Sequence, residues 1–311
     1  MHASARPLVS VCIPAYNDSA VVVDALRSAI LQDYAPLEIV VVDNHSTDGT
    51  WETVTAIASG DSRVRVLRNS ENIGMARNFN ACIAAAGGEY VLILCADDLL
   101  EVGAVELLAS ALQEHPRAVF SACGRYFTDI SLRKRQLRRA RSRKEEVGSE
   151  QLLRECFARG NRIGEPSAVM FRRVAGLRGF HPDYSQAIDL EMWFHLLKSG
   201  SAALLPDPRC LIRQHAEQTT QSNIRSGRIV RDKQLLFRQY SARLEPILTL
   251  FDKIAWDARM ASSVARTRAG GGTIEVGTLA ELFYPKFFSL LLYPVIALGW
   301  RLRDAFPDYR L

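Results

Sequence analysis

VLILCADDLL, residues 91–100, is an uncharged apolar run that halts at two adjacent carboxylates, Asp97 and Asp98. Two upstream stretches have the same form: VSVCIPAYN at 9–17 and EIVVVDNHSTDGT at 38–50. Short apolar runs separated by segments of helical periodicity are the signature of parallel strands covered on both faces. In open α/β sheets, ligands bind outside the carboxyl ends of the strands. Tyr16, Asn17, Asp43, Asp97 and Asp98 therefore line one crevice, whose chemistry suits a nucleotide and a metal ion.

Outward from these strand ends the pattern is regular. Strands are predicted at 9–13, 38–42, 64–67 and 90–94, and helices at 19–32, 48–58 and 75–86. Asp18 or Ser19 is the expected cap of the first helix, and Ser46 or Thr47 of the second. A further helix at 102–115 and a strand at 118–123 follow, then a mixed region to about residue 221. The expected class is α/β, a Rossmann-like and mostly parallel sheet flanked by helices. Beyond it, long helical patterns through Leu235, Leu236, Tyr240, Ile247, Leu248 and Phe251 predict a helical C-terminal extension, broken by Gly270 and its two following glycines. The expected division is 1–220 for the sheet domain and 221–311 for the extension.

With 311 residues, 48% hydrophobic and 23% charged, the chain is neither disordered nor a polytopic membrane protein. The net charge of +5 does not point to nucleic acid. Six scattered cysteines without a CxxC pair fit a reducing compartment, and no apolar leader precedes the first strand. A cytoplasmic location is expected.

Seven pieces carry a family resemblance: IPAYN (13–17), VVVDNHSTDGT (40–50), ENIGMARN (71–78), CADD (95–98), IGEPSAVMFRR (163–173), DLEMW (189–193) and RQHAEQTT (213–220). In this order they resemble the family-2 glycosyltransferases of GT-A type, over roughly residues 7–220. The resemblance implies inverting transfer from a nucleotide-diphosphate sugar (UDP- or dTDP-linked) to a hydroxyl of a glycan or lipid-linked saccharide, in surface polysaccharide synthesis. It implies that Pro14, Ala15, Tyr16 and Asn17 line the base, and that Asp43 receives the base N3–H. On the residues alone, Asp43 equally caps the helix that follows and Asn17 simply makes a turn. The family often has Asp-Gly where this chain has Asn44-His45.

Gly74 would permit close backbone approach, and Arg77 would offer cationic donors to the base or diphosphate. Cys95-Ala96-Asp97-Asp98 stands where the family usually has Asp-x-Asp. The resemblance makes Asp97 the ligand of Mg2+ or Mn2+ and Asp98 its support, because a hard cation takes oxygen ligands and shares its shell with phosphates. Asp189 matches the family's general base, with Ile188 in place of a preceding acid. Glu165, Ser167 and Glu191 are expected on the acceptor side. His215 is expected at the diphosphate or the metal, or as an exposed loop histidine.

Two segments point to a surface. Residues 133–144 hold eight basic and no acidic residues, either as a solvated face or as a contact for anionic lipid. No aromatic platform interleaves them, so nucleic acid is not expected. The uncharged run 287–300 is shorter than the roughly 20 residues a span requires, and suits peripheral membrane contact or a homo-oligomer interface. Competing functions fit less well. A dinucleotide-dependent dehydrogenase lacks its GxGxxG after strand one, and a sugar-1-phosphate nucleotidyltransferase lacks its Gly-rich basic loop. A degenerate sugar-binding subunit would explain Cys95 and Ile188 but not the retention of Asp97 and Asp189.

Overall fold

The computed structural model describes residues 6–140, 143–214 and 219–271. In chain order the elements are β1 (Val9–Ala15), α1 (Val22–Ile30), β2 (Leu37–Asp43), α2 (Thr50–Ala58), β3 (Val64–Arg68), α3 (Met75–Ala85), β4 (Tyr90–Ile93), β5 (Leu99–Leu100) and α4 (Ala104–Glu114). Then come β6 (Ala118–Thr128), β7 (Lys134–Arg138), β8 (Glu145–Val147), α5 (Ser149–Arg159), β9 (Val169–Arg172), α6 (Ile188–Leu196), β10 (Ser201–Arg213), α7 (Thr219–Arg225), α8 (Arg228–Leu244) and α9 (Leu250–Ala269).

Among the described residues ten strands form one sheet of order β3-β2-β1-β4-β9-β6-β10-β5, with β7 on β6 and β8 on β10. β1 pairs with β2 and β4, and β2 with β3, all parallel. Every residue of β1 is buried, as a strand covered on both faces must be. Helix α1 supplies part of that cover through Val22, Ala25, Leu26 and Ala29, which fall on one face at helical spacing. Truncating a buried leucine such as Leu26 to alanine costs about 2–5 kcal/mol.

Beyond β4 the sheet turns mixed. β9 runs antiparallel to both β4 and β6, and β10 is parallel to β6 but antiparallel to β5 and β8. Because β9 opposes β4, the start of β9 lies at the carboxyl end of β4. That reversal brings residues 163–168 to the Asp97–Asp98 turn.

The expected side-chain caps are corrected. Helix α1 begins after Val21 and α2 after Gly49, neither with a side-chain cap. Asp18 accepts the Tyr16 N–H within its own loop instead, and Ser46 Oγ accepts the Asn17 N–H, which stitches the second loop to the first.

Close contacts divide the chain into two units: 1–148 with 163–183 and 188–215, and 149–162 with 184–187 and 216–311. The first contains the whole sheet. In the second, Phe157 of α5 stacks on Trp256 of α9 with centroids 4.0 Å apart. Thr249 and Asp252 form a capping box at the start of α9, and Arg154 Nε lies 2.6 Å from Asp252 Oδ2. Among the described residues no helix is long and apolar enough to cross a membrane. The expectations for His215 and for 287–300 lie outside the described residues.

Candidate active site

The loops after β1 and β2 interlock through side-chain-to-backbone hydrogen bonds. Asn17, at φ 54°, donates its N–H to Ser46 Oγ and accepts the Thr47 N–H on Oδ1, both at 2.9 Å. A left-handed residue costs asparagine little, because its short side chain bonds locally. Pro14 and Ala15 close β1, and the following Tyr16 is 44% exposed.

Asp43 closes β2 with no exposed surface. Both of its oxygens accept the Ser46 N–H, at 3.3 and 3.2 Å, and Oδ2 lies 3.1 Å from Arg68 Nε. The carboxylate is thus enclosed and engaged by its own loop and by Arg68. Asn44 beside it is a hub. Its Oδ1 accepts from Asn69 Nδ2 and the Ile73 N–H, and its Nδ2 donates to Asn72 Oδ1. His45 sits at φ 63°, a conformation that favours glycine. These bonds lead into Gly74, whose φ of 82° again requires glycine, and into α3, where Arg77 is exposed on the first turn.

The turn after β4 is built differently. Ala96 is buried, whereas Cys95 and Asp97 are partly exposed. Asp98 is buried: Ser167 Oγ donates to its Oδ2 at 2.6 Å and the Arg213 N–H to its Oδ1 at 3.0 Å. Burial, then the neighbouring Asp97 charge, pushes the Asp98 carboxyl well above its ordinary value. The Cys95 thiol is likewise pushed up by burial and by Asp98 and Asp97, so it stays protonated. Ligand atoms of Cys95, Asp97 and Asp98 lie within 4.8 Å of one another. A neutral thiol is a poor partner for a hard ion and Asp98 is committed to Ser167 and Arg213. The donor set therefore fits a hard divalent cation through Asp97 together with oxygens from a diphosphate.

Asp189 opens α6 and is partly exposed. Its pKa is pushed up to about 7, first by burial and then by the charge of Glu165. The N–H groups of Leu190 and Asp189, and the Arg125 charge, oppose the rise. Glu165 also raises Asp98, and Asp189 raises Cys95, so the two acidic groups lie within electrostatic reach of each other. Glu165 itself is held by Arg125 Nε at 2.6 Å.

Other expected residues fall elsewhere. Ser167 is fully buried beneath the Asp98 turn, where its hydroxyl also accepts the Cys95 N–H. Glu191 is fully buried and paired with both terminal nitrogens of Arg178, one contact being 3.0 Å. Neither residue presents a surface to an acceptor. Trp193 is core, donating Nε1–H to the Gly164 carbonyl at 3.0 Å.

In the basic segment, acids from outside it supply partners: Asp129 for Arg133, Glu101 for Lys134, Glu145 for Arg143 and Glu114 for Lys144. Sequence reading missed Arg68, Asn44, Arg125 and Arg178. Arg125 left a signal, since it is the lone charge in the strand AVFSACGRYFT.

Comparison with known proteins agrees with this geometry. The profile of glycosyl transferase family 2 matches residues 10–176. An uncharacterized protein of Mycobacterium tuberculosis is 33% identical over 240 residues, 74% of each chain. The hyaluronan synthase of Pasteurella multocida is 38% identical over 106 residues, covering 34% of this chain and 11% of the synthase. Two solved structures share the fold at TM-score 0.58. One is the Pyrobaculum calidifontis mannosyltransferase with GDP-mannose and Mn2+, at 21% identity, covering 98% of this chain and 89% of that one. The other is Staphylococcus aureus TarS 1–349 with UDP-N-acetylglucosamine, at 17% identity, covering 95% and 92%. With its strand-end loops, acidic turn and matched profile, the chain belongs to glycosyl transferase family 2.

Proposed function

We propose that this glycosyltransferase moves a sugar from a UDP- or dTDP-sugar to a hydroxyl of a glycan or lipid-linked saccharide, with inversion, in surface polysaccharide synthesis. The observation that carries the reading is Asp189, a carboxylate tuned to about pH 7 beside the Cys95–Asp98 turn. A general base works best when its pKa lies near the operating pH. As the acceptor oxygen bonds to the anomeric carbon, its proton passes to Asp189 and the bond from that carbon to the diphosphate breaks.

The nucleoside is assigned to the loops after β1 and β2, with the Tyr16 ring as one wall and Asn17 fixing its turn. Asp43 shapes the opposite loop through Ser46 and Arg68. Gly74 and Arg77 are assigned to the nucleotide side, and Glu165 to the acceptor side. Mg2+ or Mn2+ held by Asp97 would neutralise the leaving diphosphate. The polysaccharide role draws support from the synthase relative. The basic segment 133–144 and the run 287–300 are assigned to peripheral membrane contact, with flotation on anionic vesicles at low and high salt as the check.

Release of UDP from a panel of UDP-sugars in the presence of Mn2+ tests the reading, with EDTA expected to stop it. Calorimetry of UDP binding should show that Asp97→Ala loses the Mn2+-dependent part of the affinity. Unchanged affinity in that variant would remove the metal assignment.

A further inference from the structure

The chain segment that enters α6 is held by an unusual grip in the second unit. Asp232, on α8, is fully buried. One of its oxygens, Oδ2, accepts three successive backbone N–H groups, those of Ser185, Gln186 and Ala187, at 2.8, 2.5 and 2.9 Å. Consecutive N–H groups converging on one anion form a concavity that binds negative charge, and bonds to an ionised acceptor are about twice as strong as neutral ones. The other oxygen, Oδ1, is buried with no hydrogen-bond partner among the described residues. Nearly all the polar contact of this carboxylate is therefore spent on one short loop.

The loop is fastened at two more points. Asn223 of α7 donates from Nδ2 to the Ser185 carbonyl and to Gln186 Oε1, both at 3.1 Å. The Tyr184 hydroxyl donates to Gln239 Oε1 of α8 at 2.9 Å. Four consecutive residues, Tyr184 to Ala187, thus have their direction fixed by α7 and α8. The next residue is Ile188, the first of α6, and the one after it is Asp189.

We infer that Asp232 is a positioning residue for Asp189: by fixing the N–H groups of residues 185–187, it sets where the first turn of α6 presents its carboxylate. This rests on Asp189 being the base. A catalytic group displaced by about 1 Å loses on the order of 10²-fold in rate, so a loop held by charge-assisted bonds two residues away has large leverage. The loops after β1 and β2 make none of these bonds. Loss of the grip should therefore reach the chemical step and spare donor binding.

The experiment compares Asp232→Asn, Asn223→Ala and Asp189→Asn with wild type in Mn2+-dependent UDP release from the most active UDP-sugar of a panel, alongside calorimetric UDP binding. Asp232→Asn keeps the shape and one acceptor but loses the charge. Its kcat should fall about 10-fold, with KM for the donor and UDP affinity within twofold of wild type. Hydrogen exchange at the amides of 185–187 should speed up in the same variant. Asn223→Ala should show a smaller fall of the same kind.

Wild-type kcat in Asp232→Asn, or a loss of UDP affinity in step with kcat, overturns the inference. If Asp232→Asn does not fold, Asn223→Ala decides: a kcat loss with intact UDP affinity supports the inference, and wild-type kcat refutes it. Asp189→Asn separates the two layers. Full activity there removes the base assignment, whereas an inactive Asp189→Asn beside a fully active Asp232→Asn removes only the positioning role.

Discussion

The loops after β1 and β2 and the loops around β4, β9 and α6 both gather carboxylates at the carboxyl ends of the parallel strands, with opposite electrostatic outcomes. In the first region Asp43 is matched by Arg68 and by a backbone N–H, and the asparagines around it exchange donors and acceptors. In the second, the charges of Asp97 and Glu165 raise the proton affinity of Asp98, and that of Glu165 raises Asp189, with Arg125 as the counter-charge engaged by Glu165. Matched polar groups give shape. Crowded acids store unfavourable charge that a bound cation or a transferred proton relieves, a pattern concentrated at reactive sites.

The sharpest break of this comparison is Asp189→Asn. Transfer should fall about 10²-fold or more, as expected for a lost general base, while UDP affinity holds. The same variant should be more stable at alkaline pH. The folded state keeps the Asp189 proton up to about pH 7, whereas the unfolded chain loses it near its ordinary value of 3.8. Between those two pH values the folded state binds more protons, so its stability falls as pH rises and levels off above 7. Discounted for the partial exposure of Asp189, the loss is about 1–2 kcal/mol. Thermal melts should place Asp189→Asn above wild type at pH 8 and level with it at pH 4.

Asn44→Ala probes the matched region with the opposite signature. Removing the hub leaves the Ile73 N–H without its acceptor and the Asn69 amide with Asn78 Oδ1 alone, costing about 1–3 kcal/mol, read as a lower Tm. The acid limb of the pH–rate profile should not move.

Glu165→Gln addresses the crowding itself. It removes the like charge that raises Asp189 and leaves Arg125 to act on it unopposed, and both changes lower the pKa. The acid limb, expected in wild type to rise through about pH 7, should shift to lower pH. The smallest effect is expected for Cys95→Ser, since a protonated thiol contributes little to a hard ion. UDP binding with Mn2+ should stay within a few-fold of wild type.

The two regions also differ in how far the sequence reveals them. β1, β2 and β4 are continuous apolar runs because parallel strands are buried on both faces, and their ends pointed to Asp43, Asp97 and Asp98. β10 hides its strand character behind Pro206 and Pro208, and its pairing with β6 shifts register around them. β7 reads as a charge run, KRQLR, yet pairs antiparallel with β6. Ser167 and Glu191 carry polar side chains into buried places for reasons outside their own segments: the reversal of β9 against β4, and Arg178 thirteen residues away. Local pattern reports local burial. It does not report which distant group a buried polar atom will meet.

That distinction governs the order in which the molecule is made. The bonds between Asn17 and the loop of Ser46 and Thr47 join residues 29 and 30 apart, so this part closes early in synthesis. Asp98 receives Ser167 only 69 residues later and the Arg213 N–H only 115 residues later. At about 5–20 residues per second, the second interval is roughly 6–23 s. A nascent chain thus has its loops after β1 and β2 within reach of closure while Asp98 still waits for partners that the ribosome has yet to add.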